Sequence, residues 1–383
     1  MTERRVLVTG GAGFVGSHTC KLLSHSGYLP VTYDDLSNGE RTAVRWGPLE
    51  IGSLHDHERL TNVVQRYRPS AVLHFAGSIE AGASIHDPVR FYNNNVSASL
   101  TLLRVIQDAQ ISALVFSSTA AVYGNPENTP ITENHPLLPV NPYGRSKLVF
   151  EQIVADVAAA SHLRYASLRY FNAAGADPDG ELGENHKPET HLIPLVIQAA
   201  LGQRSEIVVF GTDYDTPDGT CIRDYVHVTD LATAHGLALH YLLNGGDSFT
   251  ANLGTGRCFS VFEVITTVSS VTKCSIPIQL AQRRDGDPPR LVADASLAQK
   301  TLGWKPAFPD LETQIRHAAA WLTKTEHIPL NNTSSIPPLN KGTTAPSGVT
   351  LNPPRILPDP HNTSHSERFG NDFRITKRGS TLP

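Results

Sequence analysis

Two residues four positions apart could together transfer a proton: Tyr143 and Lys147, in the segment NPYGRSK at 141–147. Four residues are about one helical turn, so both side chains would lie on one face of a helix. A phenol with a reference pKa of about 10 is a poor base near neutrality, but an ammonium one turn away favours the phenolate. The spacing also suits a helix with its tyrosine in the core and its lysine in water, so the pair depends on its context.

A cluster of glycines follows the first apolar run of the chain. In VLVTGGAGFVG at 6–16, Gly10, Gly13 and Gly16 satisfy G-x-x-G-x-x-G, while Gly11, Gly13 and Gly16 satisfy G-x-G-x-x-G. Residues without a Cβ let the backbone turn tightly and approach a pyrophosphate, whose charge is met by free N–H groups and a helix dipole. An ordinary glycine turn is the alternative, but the strand before it and the helix after it favour a dinucleotide site.

An acidic residue follows these glycines at the spacing expected for a dinucleotide site. Asp34 ends the apolar segment VTYD, where a carboxylate can accept both ribose hydroxyls of NAD and would repel the 2′-phosphate of NADP. Asp35 is adjacent and is the alternative, because a sequence pattern leaves the register open by one residue. The sequence therefore predicts bound NAD, whose cationic nicotinamide would also favour the Tyr143 phenolate.

The elements that must position these residues alternate between short apolar runs and longer segments of helical periodicity. The predicted strands are RRVLV, LPVTYD, AVLHFAG, SALVFSS and YASLRYF; the predicted helices lie at about 14–26, 57–67, 88–109 and 143–160. This alternation predicts an α/β fold, a doubly wound parallel sheet of the Rossmann-like kind with helices on both faces.

The chain is predicted to have three parts. Residues 1–180 would form the NAD-binding domain, and 181–325 a smaller C-terminal substrate-binding lobe with some segments returning to the first domain. Residues 326–383 are rich in Pro, Ser, Thr and Asn and show no sustained periodicity. Such a segment buries too little apolar surface to offset its ordering entropy, which predicts a disordered tail.

Composition argues against several classes of partner. A net charge of −4 without a basic stripe gives no surface that could follow a nucleic-acid backbone. The first apolar run ends at the glycines, and no stretch approaches the roughly 18 apolar residues of a membrane helix. We therefore expect no nucleic-acid or membrane partner, and a cytoplasmic location. The cysteines have spacings typical of neither a disulfide framework nor a metal site; they are Cys20, Cys221, Cys258 and Cys274.

Motifs spread over about residues 4–325 resemble the extended short-chain dehydrogenase/reductase family, and within it the UDP-glucose 4-epimerases. The resemblance implies that NAD oxidises the sugar at C4 to a transient 4-ketose and then reduces it on the other face, as in galactose metabolism. It also implies a homodimer. The matching segments are TGGAGFVGSHT at 9–19, HFAG at 74–77, NNNV at 93–96, FSSTAAVYG at 116–124, NPYGRSK at 141–147, LRYFNAAGA at 168–176, ETHLIP at 189–194 and GTCIRDYVHVTDLA at 219–232.

The resemblance implies a role for each matched residue. Tyr143 would be the acid/base, Thr119 would hydrogen-bond the sugar C4 oxygen, and Lys147 would hold the nicotinamide ribose. The implied cofactor contacts are Gly10, Gly13, Phe14, Val15, Gly16, Asp34, Asp35, Ser53, Leu54, Phe75, Ala76, Gly77, Asn94, Ser117, Tyr143, Lys147 and Tyr170. The implied substrate contacts are Thr119, Tyr143, Asn172, His191, Leu192, Arg223, Arg284, Asp287 and Leu291, the last at the gate beside the sugar C2 substituent.

Some positions depart from the family pattern or leave alternatives open. Ser53 stands where members often have Asp, and Ile79 where some have a lysine that contacts the cofactor phosphates, so cofactor affinity is in question. Arg223 could instead form a surface ion pair with Asp224.

The alternative functions require different residues at the two positions that follow Thr119 in the sequence. Sugar-nucleotide dehydratases and decarboxylases carry acidic residues there, whereas this chain has Ala120 and Ala121, whose methyl groups cannot transfer protons. Epimerases acting on UDP-uronic acids or UDP-N-acetylglucosamine are compatible with small residues. A non-catalytic dinucleotide-sensing regulator is the alternative of a different class; it would typically have lost Tyr143 or Lys147.

Overall fold

The structure is a computed structural model and describes residues 4–186, 188–284 and 287–325. Its strands are β1 (Arg4–Thr9), β2 (Tyr28–Asp34), β3 (Leu49–Ile51), β4 (Ala71–His74), β5 (Ala113–Thr119), β6 (Arg164–Tyr170), β7 (Asn172–Ala174), β8 (Ile207–Phe210), β9 (Ile222–Arg223), β10 (Tyr225–His227), β11 (Phe249–Leu253), β12 (Phe259–Ser260), β13 (Ile278–Ala281) and β14 (Arg290–Leu291). The predicted tail at 326–383 lies outside the described residues.

The helices lie mainly between consecutive strands. They are α1 (Phe14–His25), α2 (His57–Tyr67), α3 (Ala81–His86), α4 (Pro88–Tyr92), α5 (Ala98–Asp108), α6 (Pro142–Ala159), α7 (Leu192–Ala200), α8 (Val228–Leu243), α9 (Val261–Thr272), α10 (Ser296–Leu302) and α11 (Leu311–Thr325). In the described part of the chain, no helix has the length and apolar character needed to cross a membrane.

Seven strands form one parallel sheet, in the order β3, β2, β1, β4, β5, β6, β11. The predicted α/β fold is therefore confirmed. The chain leaves β1 toward β2 on one side and returns to β4 on the other. In sheets of this kind, ligands bind outside the carboxyl ends of the strands where the strand order reverses, which here is between β1 and β4.

The alternation of side chains along β1 explains how helices cover both faces of the sheet. Val6 and Val8 pack with apolar residues of α1 and α8, whereas Leu7 packs with residues of α2, α5 and α6 on the opposite face. All three are fully buried. A parallel strand that is buried on both sides needs such a continuous apolar run, and this is the feature that made the strand recognisable in the sequence.

The predicted helix at 88–109 is interrupted by one π-helical turn, Asn93–Ser97, between α4 and α5. In this turn Asn95 accepts from the Ser78 N–H (2.7 Å) and donates to the Ser78 carbonyl (3.0 Å). Asn94 donates to the Ser78 hydroxyl (2.9 Å). The wider turn thus directs two successive amides at the loop after β4, which a regular helix would not do.

Candidate active site

A cavity of about 430 Å³ opens at the carboxyl ends of the central strands. It is the place where the fold predicts ligand binding, and most of the residues singled out in the sequence meet there. Those that line it are Gly10, Gly13, Phe14, Val15, Gly16, Asp34, Asp35, Ser53, Leu54, Phe75, Ala76, Gly77, Asn94, Thr119, Tyr143, Tyr170, Asn172, His191, Arg223, Asp287 and Leu291.

The three glycines of G-x-x-G-x-x-G are required for different reasons. Gly10 has a positive φ of 72°, and a Cβ there would lie 2.4 Å from the Ala76 nitrogen; at Gly16 it would lie 2.2 Å from the Gly10 carbonyl oxygen. At Gly13 the nearest such atom is 3.4 Å away, so the protein itself leaves room for a side chain. Gly13 lines the cavity and is the N-cap residue of α1. It has no side chain that could accept a hydrogen bond from the first N–H groups of that helix. The loop therefore fits a pyrophosphate laid over Gly13.

Asp34 lies at the end of β2 with both carboxylate oxygens directed by backbone N–H groups. Oδ2 accepts from Ala12 (3.0 Å) and Oδ1 from Leu36 (2.9 Å). Burial raises the pKa of Asp34, and these two hydrogen bonds oppose that effect. Asp35 also lines the cavity but is exposed, and its Oδ1 accepts from the Ser37 N–H. A fixed carboxylate with free lone pairs fits the ribose hydroxyls of NAD.

The two departures from the family pattern both lie on the cavity wall. The Ser53 hydroxyl accepts from the His55 N–H (3.2 Å), and the Ser53 carbonyl accepts from the Tyr33 hydroxyl (2.9 Å). Ser53 thus forms a local turn beside the buried Leu54. Ile79 is 38 % exposed and adds apolar surface where a lysine would add charge. Its neighbour Glu80, which sequence reasoning missed, also lines the cavity.

Helix α6 carries Tyr143 to the cavity and Lys147 beneath it. Asn141 caps the start of the helix, since its side chain accepts from the Gly144 N–H (2.8 Å), and Pro142 lies in the first turn. One turn further, Lys147 is buried and its Nζ donates to the Ser117 carbonyl (3.1 Å). Through these two residues, α6 contacts both the cavity, at Tyr143, and strand β5, at Lys147.

Burial shifts the pKa of both members of this pair in the protein alone. Burial raises the pKa of Tyr143 well above its usual value, the neighbouring Tyr170 and Glu80 act in the same direction, and a hydrogen bond with Thr119 opposes them. Burial also lowers the pKa of Lys147 to about 8, against the effect of Glu151. In the protein alone, burial thus outweighs the hydrogen bond from Thr119. That Lys147 and a bound nicotinamide together favour the phenolate stays a prediction. A cation held above the phenol would act in the required direction.

Four predicted residues do not line the cavity. Lys147 and Ser117 lie behind its wall, where the Ser117 hydroxyl contacts the Tyr170 hydroxyl at 2.9 Å. Leu192 packs against the core formed by α7, α9 and α11. The Arg284 guanidinium lies 3.8 Å from the centre of the Phe210 ring. Spacing along the sequence could not separate these positions from the lining ones, because which matched residues face the cavity depends on how distant elements pack.

Arg223 also lines the cavity and is held by its neighbours. It donates to the Pro288 carbonyl (2.8 Å) and forms an ion pair with Asp287 at 3.3 Å. The alternative of an ion pair with Asp224 is wrong, because the buried Asp224 carboxylate accepts the N–H groups of Thr255 and Gly256. An arginine fixed at the cavity wall is suited to a phosphate.

His191 belongs to a cluster of four side chains, the other three of which sequence reasoning missed. Burial lowers the pKa of His191, but contacts with Glu184 and Glu189 raise it more, to about 10. The same two carboxylates raise the pKa of His186 to about 9. The spacing E-x-H-x-x-E-x-H at 184–191 was the signal available in the sequence. We call Glu184, His186, Glu189 and His191 the His/Glu cluster.

Comparisons with known proteins agree with this geometry. The chain is 52 % identical over 324 residues to UDP-glucose 4-epimerase from Rhizobium leguminosarum bv. trifolii, covering 85 % of this chain and 99 % of that one. A crystal structure of UDP-glucose 4-epimerase from Brucella ovis in complex with NAD superposes with a TM-score of 0.81 at 51 % identity, over 82 % of this chain and 97 % of that one.

A more distant structure, the UDP-Glc/GlcNAc 4-epimerase from Campylobacter jejuni, has a TM-score of 0.74 at 38 % identity, over 84 % of this chain and 99 % of that one. Residues 6–254 match the NAD dependent epimerase/dehydratase family. This match includes the glycine loop, Asp34, Tyr143 and Arg223. The protein therefore belongs to the NAD-dependent epimerase/dehydratase family.

Proposed function

We propose that the protein interconverts UDP-galactose and UDP-glucose by inverting the sugar at C4. The observation that carries this proposal is that one cavity joins Tyr143 and Thr119 to the glycine loop and Asp34. When bound, NAD would take a hydride from C4, leaving a 4-ketose, and return it to the opposite face. The relatives named UDP-glucose 4-epimerase support this choice of substrate.

The proposed work of the protein side chains is proton transfer and orientation. Tyr143 removes the proton from the C4 hydroxyl and later returns it, which requires the phenolate that bound NAD would favour. Thr119 accepts from the Ala121 N–H through its hydroxyl (3.1 Å), which fixes that hydroxyl beside Tyr143. Lys147 holds α6 against β5 and would reach the nicotinamide ribose from there.

Three other lining residues would bind the nucleotide diphosphate. We assign Arg223 and Asn172 to the phosphates, with His191 beside them, because all three line the same cavity. Asp287 positions Arg223. The division into an NAD-binding domain at 1–180 and a substrate-binding lobe at 181–325 is part of the same proposal.

Dehydration and decarboxylation are disfavoured by the residues beside Thr119. Ala120 and Ala121 both line the cavity, and their methyl groups can neither donate nor accept the proton that those reactions move. A purely sensory role would leave Tyr143, which lies beside the hydroxyl of Thr119, without a use. Epimerisation of other UDP-sugars remains the second candidate, and the Campylobacter jejuni enzyme named for both UDP-Glc and UDP-GlcNAc supports it.

We also propose that the protein forms a homodimer through the face that carries α3, α4 and α5. Three large apolar side chains are exposed there: Ile85 (55 %), Val89 (75 %) and Leu100 (45 %). Such a patch would gain free energy by meeting a second copy of itself. We place the protein in the cytoplasm, because its four cysteines are free thiols and such thiols persist in a reducing compartment.

Incubation of the purified protein with UDP-galactose, without added NADH or other reductant, tests the proposed reaction. We expect UDP-glucose to accumulate to equilibrium, detected by chromatography with mass measurement. A product that has lost water would identify a dehydratase. Unchanged UDP-galactose, with UDP-glucose and UDP-N-acetylglucosamine also unchanged, would contradict the proposal of epimerase activity.

A further inference from the structure

Four side chains of types that can bind metals converge in the segment 184–191. The Nδ1 atoms of His191 and His186 lie 2.8 and 3.1 Å from the same oxygen, Oε1 of Glu184. The Oε1 atom of Glu189 lies 3.1 Å from His191 Nδ1. One potential ligand atom from each of the four lies within 4.8 Å of every other.

In this arrangement the imidazole nitrogens of His186 and His191 do not both have a well-aligned hydrogen-bond partner of their own. Two imidazoles compete for one carboxylate oxygen, and the buried Nδ1 of His186 makes no aligned hydrogen bond with any residue that the structure describes. A buried polar atom without an aligned partner calls for an explanation, such as an ion. Its ring is packed edge-on against Phe14, with centroids 6.5 Å apart, which fixes the imidazole in place.

A second group of acidic side chains on the same loop differs from the His/Glu cluster, because a lysine of the chain lies among its carboxylates. Lys21 of α1 contacts Asp177 and Asp179 at 2.9 Å and Glu181 at 2.7 Å. Those carboxylates therefore surround a cation that the chain itself supplies. In the His/Glu cluster, the described ion pairs of Glu184 and Glu189 are with His186 and His191, and imidazoles can give up their protons to bind a metal.

We propose that the His/Glu cluster binds one divalent transition-metal cation, of which Zn²⁺ is the best fit. Two imidazole nitrogens and two carboxylate oxygens form a donor set that suits Zn²⁺ better than Mg²⁺ or Ca²⁺, which prefer oxygen alone. Four tetrahedral ligands at about 2.0–2.2 Å from Zn²⁺ lie roughly 3.4 Å apart. The four side chains are close enough to reach that spacing by small rotations.

The bound cation would link the two ends of the segment 184–191. Glu184, His186 and His191 all line the cavity, so the metal would hold this part of the wall together. Its role in this position is structural: Tyr143 and Thr119 lie on α6 and β5, elements that do not belong to the cluster. The inference therefore stands whether or not the proposed reaction is correct.

Titration of Zn²⁺ into the full-length protein, stripped of metal by EDTA and retaining its NAD, tests the proposal. A Cys258→Ser background removes the exposed thiol as a competing ligand. We expect one equivalent to bind by calorimetry and the melting temperature to rise with Zn²⁺. Co²⁺ used as a probe should give the intense visible absorption of a four-coordinate site. Failure of the parent protein to bind one equivalent would overturn the proposal.

Variants separate the His/Glu cluster from the rest of the loop. His186→Ala and Glu189→Gln should each weaken Zn²⁺ binding by more than the roughly 10- to 100-fold that loss of an outer partner costs. Glu181→Gln is the matched control, since it removes a carboxylate of the group around Lys21, and should bind as the parent does. Equal weakening by Glu181→Gln, or undiminished binding by both cluster variants, would show that the four side chains do not form a metal site.

Discussion

Lys147 of α6 donates a hydrogen bond to the carbonyl oxygen of Ser117 in β5, with 3.1 Å between the two atoms. This bond crosses from the helix that carries Tyr143 to the strand that ends at Thr119. It therefore fixes the two hydroxyl groups of the proposed acid/base system relative to each other. The sequence pattern predicted the pair on one helical face; the structure shows that the lysine also connects α6 to the backbone of β5.

Tyr143→Phe should lower turnover of UDP-galactose by at least the roughly 10²- to 10⁴-fold that a general acid/base contributes. The ring is retained, so the fold and bound NAD should be unaffected. Steady-state kinetics and cofactor content measure the two effects. Tyr92→Phe is the control, since Tyr92 lies on the protein surface and should keep full activity. Near-parent turnover by a folded Tyr143→Phe protein would remove this phenol from the mechanism.

Gly13→Ala should produce a stable protein that binds NAD poorly. Its new methyl group meets protein only at 3.4 Å and projects where the pyrophosphate would lie. Gly16→Ala instead forces a methyl to 2.2 Å from a backbone oxygen, so it should lower the melting temperature itself. Thermal unfolding and the NAD released on denaturation distinguish the two. If Gly13→Ala retained a full complement of NAD, the pyrophosphate would have to bind elsewhere.

Substitutions at Asp34 and Asp35 provide a second test variant with a matched control. Asp34→Asn should lose NAD and weaken the discrimination against NADP, because the carboxylate that faces the ribose hydroxyls is gone. Asp35→Asn should behave as the parent, since that side chain is exposed. The purified parent should release NAD(H), identified by mass. Release of mainly NADP(H), or loss of NAD only from Asp35→Asn, would assign the ribose contact to another residue.

Much of this arrangement could be predicted because its determinants are local in sequence. The glycines, Asp34 and Tyr143 each adjoin an apolar strand or a helix start, so periodicity fixes where they lie. The pKa of Tyr143 could not be predicted, because desolvation depends on elements distant in the chain. The alternative of an Arg223–Asp224 ion pair was wrong for the same reason: Asp287, distant in sequence, reaches Arg223, while the adjacent Asp224 is buried.

The range of UDP-sugars that the protein accepts as substrates provides a further prediction. Leu291 lines the cavity and pairs in register with Arg223, so it lies close to the proposed phosphate site. We propose, from the family resemblance, that Leu291 is the gate beside the sugar C2 substituent, where a tyrosine would fill the space that an N-acetyl group needs and the smaller leucine would leave it open. We expect the parent to epimerise UDP-N-acetylglucosamine, and Leu291→Tyr to lose that activity while keeping UDP-galactose turnover. Parent protein that acts on UDP-galactose and not on the N-acetyl sugar would refute the open gate.

The π turn at Asn93–Ser97 lets the helix accommodate one extra residue without changing its buried face. Its i→i+5 bonding spreads about one turn over five residues, where a regular α-helix uses about four. Leu102, Leu103 and Ile106 of α5 therefore still face the sheet, where they are buried. A descendant that lost one of these five residues would return to a regular helix and keep that face buried, but it would give up the pair of amides that the wider turn directs at Ser78.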